Sequence, residues 1–413
     1  MSIRVDAEAL EQKLIEIRRK IHENPELGFQ EFETARLITT RLDELGIPYK
    51  KEIAKTGIVA TIKGEKGEGK TLLIRADMDA LPLLEETTLG FKSKNEGVFH
   101  ACGHDSHVSC LLGTAELLQS KRDQFKGTVL LIFQPAEEGS KEYDPTGKIS
   151  GGALPMILEA PEIFGTFENP KCDGVLALHV AAGPEVNYQI GTIGVKDGPF
   201  TGSADELYID IIGKGGHAST PHTAVDPVYL ASQINVAIQG WLSRVINPME
   251  PVVITFGKII GGSRQNIIPV KCRMEGTLRT LNEKTRDKIK EELPVFIKKQ
   301  AQSFGGDADI TILTGYPVGS NDKIMNDHIR KVTAELYGSD HINEEEAQLG
   351  AEDFYEFGFR NKVPIAMFWL GGTNPEKNMV YSNHSNYFDF DEKALAIGTT
   401  ILTATALSFL NDI

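Results

Sequence analysis

The feature that most constrains this chain is a change of rhythm along it. Up to about residue 198, and again beyond residue 316, short apolar runs alternate with amphipathic helical ones. Leu10, Leu14, Ile17 and Ile21 recur at helical spacing until Asn24-Pro25 ends the pattern. A second amphipathic run, residues 31–45, stops at Gly46, the residue type expected just past a helix end. Residues 57–63, 71–75, 128–133 and 175–180 read as strands, and 108–118 as a helix. Between these flanks the order differs: strand 205–212, helix 227–245, strands 252–260 and 270–280, helix 286–304, strand 309–313. That order, βαββαβ, is the ferredoxin-like split motif. The expected fold class is therefore α/β. A discontinuous domain, residues 1–198 and 316–413, carries a mixed, largely parallel sheet flanked by helices. An α+β ferredoxin-like domain, residues 199–315, interrupts it.

Charge and cysteine usage narrow the function classes. Lys and Arg number 43 against 58 Asp and Glu, a net charge of −15. Such an excess disfavours nucleic acid or an anionic membrane as a partner. The uncharged run 394–410 falls short of the ~20 apolar residues that span a bilayer and reads as a C-terminal helix buried against a sheet. The first residues lack the apolar core of a secretory signal. Cys102, Cys110, Cys172 and Cys272 are too few and scattered for a disulfide framework. A cytoplasmic protein is expected.

One motif is rejected. Gly64-Glu-Lys-Gly-Glu-Gly-Lys-Thr71 matches the phosphate-loop pattern letter for letter. Phosphate binding there needs a helix after the loop, so that amides and the helix dipole meet the anion. The following Leu-Leu-Ile-Arg is a strand pattern, so the run reads as a glycine-rich hairpin.

Five segments place metal-competent residues beside strand ends: Arg75-Ala-Asp-Met-Asp-Ala-Leu-Pro82, His100-Ala-Cys-Gly-His-Asp-Ser-His107, Phe133-Gln-Pro-Ala-Glu-Glu-Gly139, His179 and His384. In parallel sheets the strand carboxyl ends share one edge, where sites assemble. Taken singly, each has an ordinary explanation: a core histidine, a solvated glutamate pair, a turn, or a Cys102–His104 nucleophile and base. Their coincidence points to a metal. Mixed imidazole, carboxylate and thiolate donors suit zinc, manganese, cobalt or nickel rather than magnesium. Adjacent Glu137 and Glu138 point to opposite sides of extended chain, so one can bind metal while the other faces a water as general base.

These residues resemble the M20 metallopeptidases, in the branch of N-acyl-amino-acid amidohydrolases, hippurate hydrolases and auxin-conjugate hydrolases. The resemblance runs through Arg18-Arg-Lys-Ile-His-Glu-Asn-Pro-Glu-Leu-Gly28, the three motifs above, GKGGHASTPH (213–222), GGSRQNIIP (261–269), GTLRT (276–280) and GAEDF (350–354). It implies two divalent metal ions held by Cys102, His104, Glu138, His179 and His384, with Cys102 bridging. It also implies Glu137 as general base and Asp79 as the group orienting a ligand histidine. His217 would stabilise the oxyanion, while Asn266, Arg279 and His222 would bind substrate. The interrupting domain would be a lid through which two copies pair as a homodimer. The chain departs from the family at residues 140–150, an insertion beside Glu138, and at Asn386, where the family often has proline.

The activity expected is metal-dependent hydrolysis of a small N-acyl amino acid or dipeptide-like amide to an acid and an amino acid. A metallocarboxypeptidase or dipeptidase, a cysteine hydrolase using Cys102 and His104, and a catalytically silent binder of acylated amino acids are the competing readings.

Overall fold

The alternating flanks close into one eight-stranded sheet in a computed structural model that describes residues 2–139, 151–184 and 186–412. The strands lie in the order Tyr49–Ile53, Gly57–Lys63, Thr128–Gln134, Thr71–Asp77, Gly174–Ala181, Ile365–Gly371, Ile193–Val195, Ile342–Glu344. The central block, from Thr128–Gln134 to Ile365–Gly371, is parallel throughout, with antiparallel pairs on both flanks. Parallel strands need cover on both faces, and every residue of Gly174–Ala181 is buried. Helix Lys393–Asn411 supplies cover together with helix His104–Ser120. The first of these is long and apolar enough to cross a membrane, yet is mostly buried inside the protein's own core. The insertion at residues 140–150 lies outside the described residues.

The glycine-rich run 64–70 corrects the hairpin expected there. It joins Gly57–Lys63 to Thr71–Asp77, but Thr128–Gln134 lies between those strands and pairs with both. Strands sit about 4.8 Å apart, so the connection has only roughly two such spacings to cross. Its glycines let it pass close over residues 125–127: a Cβ on Gly64 would lie 2.2 Å from the Phe125 carbonyl oxygen, and Gly67 has φ +99°.

Arg18 pins the amino-terminal helix Glu11–His22 to the helix that opens at His104. It is fully buried, with Nε 2.9 Å from Asp105 and Nη2 3.0 Å from Asp389. Its guanidinium also lies over the Phe91 and Phe390 rings. Burial alone would raise the Asp105 carboxyl, but Arg18 and His22 hold it far below its ordinary value. A charge so enclosed is tolerable only because it is paired on several sides.

The chain divides into one compact unit of Met1–Gly198, Ser320–Glu346 and Asp353–Ile413, and a second of Pro199–Gly319 with Ala347–Glu352. The second unit has an antiparallel sheet in the order Val252–Gly261, Lys271–Thr280, Asp205–Ile212, Asp307–Thr314. Alternate residues of Asp205–Ile212 are buried, the pattern of a sheet covered on one face. Helices Pro227–Val245 and Glu283–Gln302 provide the cover, capped by the side chains of Asp226 and Asn282. Leu207, Ile209, Ile234, Ile238, Leu278 and Leu293 belong to its separate core. Among the described residues, strand Val252–Gly261 pairs on one side only and exposes Val253, Ile259 and Ile260.

Candidate metal centre

Three strand ends and two loops deliver the first unit's chemical groups. Thr71–Asp77 leads to Asp79, Thr128–Gln134 to Glu137 and Glu138, and Gly174–Ala181 carries His179. Cys102 and His104 flank Gly103 at the start of helix His104–Ser120. Gly103 has φ +89°, and a Cβ there would lie 2.3 Å from Val180 Cγ1, so conformation and space both demand glycine. His384 arrives on a loop with its own φ at +67°.

These groups converge. Cys102 Sγ lies 3.4 Å from His179 Nε2 and 3.3 Å from His384 Nε2. His384 Nε2 is also 3.1 Å from Glu138 Oε1. Among the described residues, three of the sets whose donor atoms lie within 4.8 Å of one another are built from these groups alone: Cys102–His104–His179, Cys102–Glu138–His384 and His104–Glu137–Glu138. Cys102 belongs to two of them.

The residues fit metal ions. His179 lies 2.8 Å through Nδ1 from the Val180 carbonyl oxygen. A carbonyl only accepts, so Nδ1 carries the proton and Nε2 turns its lone pair toward Cys102. Burial, then His107, keeps the His179 ring far below its ordinary pKa, in the neutral form that binds metal. His104 Nδ1 faces Asp79 Oδ1 at 3.2 Å, while its buried Nε2 has no hydrogen-bond partner among the described residues. Burial opposes protonation of His104, yet Asp77, Asp79 and Glu138 push it up to about 10. The surrounding carboxylates thus call for positive charge, and the His104 Nε2 they surround lies 3.5 Å from Asp77 Oδ2.

Asp79 contacts more than His104. Its two oxygens accept from the backbone N–H groups of Glu137 and Glu138, each at 3.0 Å. Glu137 is buried and Glu138 half-buried. Burial raises the Glu138 carboxyl, but His384 and His104 outweigh it and hold the pKa below its ordinary value.

Several groups here were not singled out from the sequence. Asp77 accepts from Arg75 Nη1 at 2.7 Å and lies 2.5 Å from His107 Nδ1. His107 Nε2 in turn accepts the Val180 N–H at 2.9 Å, fixing the strand one residue beyond His179. Asn383 donates to the Cys102 and Val180 carbonyls at 2.9 and 3.1 Å and accepts from the Ala182 N–H at 3.1 Å. The available signals were the three-residue step from His104 to His107, which puts both on one helix face, and the adjacency of Asn383 to His384. Asn386, at the departure from the family, donates to the Leu84 carbonyl at 2.7 Å.

His217, His222, Asn266 and Arg279 lie in the second unit and belong to none of these donor sets. His217 sits on the short strand Gly216–His217, paired with Ile267–Ile268 beside Asn266. The Asn266 carbonyl accepts the Ala218 N–H at 3.1 Å. His217, His222 and Asn266 are exposed. His217 Nδ1 accepts the Ser219 N–H at 3.1 Å, so the neutral ring carries its proton on Nε2. Arg279 is half-buried, and its Nε donates to Thr277 Oγ1 at 3.1 Å.

The model of Peptidase family M20/M25/M40 matches residues 73–408. The chain is 38% identical over 408 residues to thermostable carboxypeptidase 2 of Saccharolobus solfataricus, covering 98% of each. It is 35% identical over 413 residues to the N-acetylcysteine deacetylase of Bacillus subtilis, covering 98% of this chain and 99% of the relative. Among solved structures, the Bacillus subtilis YXEP protein, described as a dinuclear metal-binding peptidase from the M20 family, aligns with a TM-score of 0.81 and 32% identity. That alignment covers 98% of this chain and 99% of the other. With the family model matching residues 73–408 and similarity to these relatives along nearly the whole length, the chain belongs to peptidase family M20/M25/M40.

Proposed function

We propose that this M20 metal-dependent hydrolase cleaves the amide bond of N-acyl amino acids, releasing a carboxylic acid and an amino acid. The observation that carries the reaction is the backbone grip of Asp79 on Glu137 and Glu138, which sets two successive carboxylates beside His104. For the substrate class, the support is full-length similarity to an N-acetylcysteine deacetylase.

In this reading Cys102, His104, Glu138, His179 and His384 hold two divalent cations, with Cys102 shared, and Asp79 orients His104. Zinc, manganese, cobalt and nickel suit the donors. Bound there, the cations supply Lewis acidity to the amide carbonyl and acidify the attacking water. Glu137 takes the proton from that water and returns it to the leaving amine. His217 donates from Nε2 to the oxygen that gains negative charge. Asn266 and Arg279 hold the substrate carboxylate, Arg279 through its fork of donors, with His222 beside them. The second unit acts as a lid. Its one-sided edge strand Val252–Gly261, with three exposed apolar side chains, supports pairing of two copies through that unit. The four cysteines, all among the described residues, form no disulfide, which supports a reducing, cytoplasmic setting.

Loss of an oxyanion donor costs about 10²–10³ in kcat, and His217→Ala is expected to lose that much with metal content intact. Full turnover by this variant would end the assignment.

The carboxypeptidase relative favours a second reading, in which the same centre cleaves peptides. Metal-reconstituted protein assayed on N-acetyl, N-benzoyl and N-arylacyl amino acids alongside free dipeptides separates the two. Cleavage of the acyl conjugates is expected, and cleavage of dipeptides alone overturns the first reading.

A further inference from the structure

The amino-terminal motif ending in Asn24-Pro-Glu-Leu-Gly28 supplies none of the metal donors, yet its continuation reaches the turn that presents Glu137 and Glu138. Glu26 caps the helix Phe32–Glu44 by accepting the Glu33 and Thr34 N–H groups. The Glu26 carbonyl accepts the Ala80 N–H at 2.8 Å, tying the segment to the stretch that carries Asp79. Gly28 then passes so close to the turn that a Cβ on it would lie 2.8 Å from Ala136 Cβ.

Glu31 completes the approach. It is fully buried, and its Oε1 accepts the Ala136 N–H at 2.9 Å, while Oε2 lies 2.6 Å from Thr56 Oγ1. Ala136 has φ +51°, the left-handed conformation that residues with a Cβ disfavour. Its carbonyl is held as well, by the N–H groups of Gly139 and Gly152 at 3.2 and 3.0 Å. Three successive amides are therefore each received by a carboxylate: that of Ala136 by Glu31, and those of Glu137 and Glu138 by Asp79. The left-handed residue is what turns consecutive N–H groups toward a common side. Released to its preferred conformation, Ala136 would redirect both glutamates.

We infer that Glu31 is a positioning residue for the catalytic pair, holding Ala136 left-handed so that Glu137 and Glu138 leave the turn toward the metal donors. The inference rests on the reading of Glu137 as base and Glu138 as ligand. Burial, then the Asp79 charge, pushes the Glu31 carboxyl up to about 8, so a neutral amide is a fair replacement.

The test compares metal-loaded Glu31→Gln, Glu31→Ala and Glu31→Ala/Ala136→Gly by kcat, KM and zinc affinity in chelator competition. Removing a partner that orients a metal-site group typically costs about 10–100-fold, and Glu31→Ala should lose kcat and zinc affinity on that scale with KM little changed. Glu31→Gln keeps both hydrogen bonds and should stay near the parent. Glycine adopts a positive φ freely, so Ala136→Gly should recover much of what Glu31→Ala loses. An unchanged Glu31→Ala overturns the inference. So does a loss that glutamine does not prevent and Ala136→Gly does not recover. Should Glu31→Ala fail to fold, Thr56→Val carries the test: kcat lowered at constant KM supports the inference, and unchanged kcat overturns it. Glu137→Gln in the same assay tells the failures apart. If it keeps turnover, the underlying base assignment has failed; if it is inactive while Glu31→Ala is unaffected, only this inference has.

Discussion

Glu137→Gln is expected to lower kcat by about 10²–10⁴-fold, the usual contribution of a general base, while metal content and KM stay close to the parent values. Glutamine preserves the size of the side chain and leaves the backbone N–H of residue 137 on Asp79. What it removes is a carboxylate able to take a proton. The measurement must therefore include metal stoichiometry beside kinetics. Glu137 shares a donor set with His104 and Glu138, so a fall in bound metal in step with activity would show that it is a ligand. Activity lost with metal retained fits the base. Activity retained removes Glu137 from the mechanism.

Cys102→Ala should have the broadest effect at the centre. Its sulfur stands in two donor sets, 3.4 Å from His179 Nε2 and 3.3 Å from His384 Nε2. Loss of a shared ligand should weaken metal binding by more than the roughly 10–100-fold typical of an outer partner, and turnover should fall with it. Metal analysis of the purified variant and titration with a divalent ion check this. The same experiment addresses the competing cysteine-nucleophile reading. If Cys102 attacks substrate itself, chelator-stripped parent protein retains turnover. If Cys102 holds metal, a chelator abolishes activity and added divalent ion restores it. A Cys102→Ala variant with full metal content and full turnover would exclude both roles.

What the sequence discloses depends on whether a role resides in a side chain or in a backbone group. In the second unit, strand Asp205–Ile212 and helix Pro227–Val245 match their expected limits because alternation and a capping aspartate act locally. Strand order is different. Nothing in residues 64–71 discloses that Thr128–Gln134 inserts between the strands they connect, because the pairing involves residues far away along the chain. At the site, Cys102, His104, Glu137, Glu138, His179 and His384 are brought together, three strands and two loops supplying them. Their supports were harder to read. His107 acts on the Val180 N–H, Asn383 on the Cys102 carbonyl, and Glu31 on the Ala136 N–H. Backbone partners leave no mark in a residue pattern, and a left-handed alanine is spelled like any other. The second-unit residues His217, His222, Asn266 and Arg279 owe their proposed roles to the family resemblance rather than to spacing.

The interleaved topology also sets an order of events during synthesis. The second unit's four-stranded sheet and both its helices lie within residues 205–314, so that sheet's pairings are all available once this stretch has emerged. The first unit must wait. Its central strand Ile365–Gly371 lies between Gly174–Ala181 and Ile193–Val195, and helix Lys393–Asn411 packs against helices near the amino terminus. Contacts of such sequence separation form late and leave apolar edges open meanwhile. Ribosome-stalled chains ending near residue 345 should therefore resist protease across residues 205–314 while their first 198 residues are digested. Protection of both segments at that length would contradict this order. The two carboxylates of the turn at Ala136, translated early, would thus wait for His384, made after the second unit has closed.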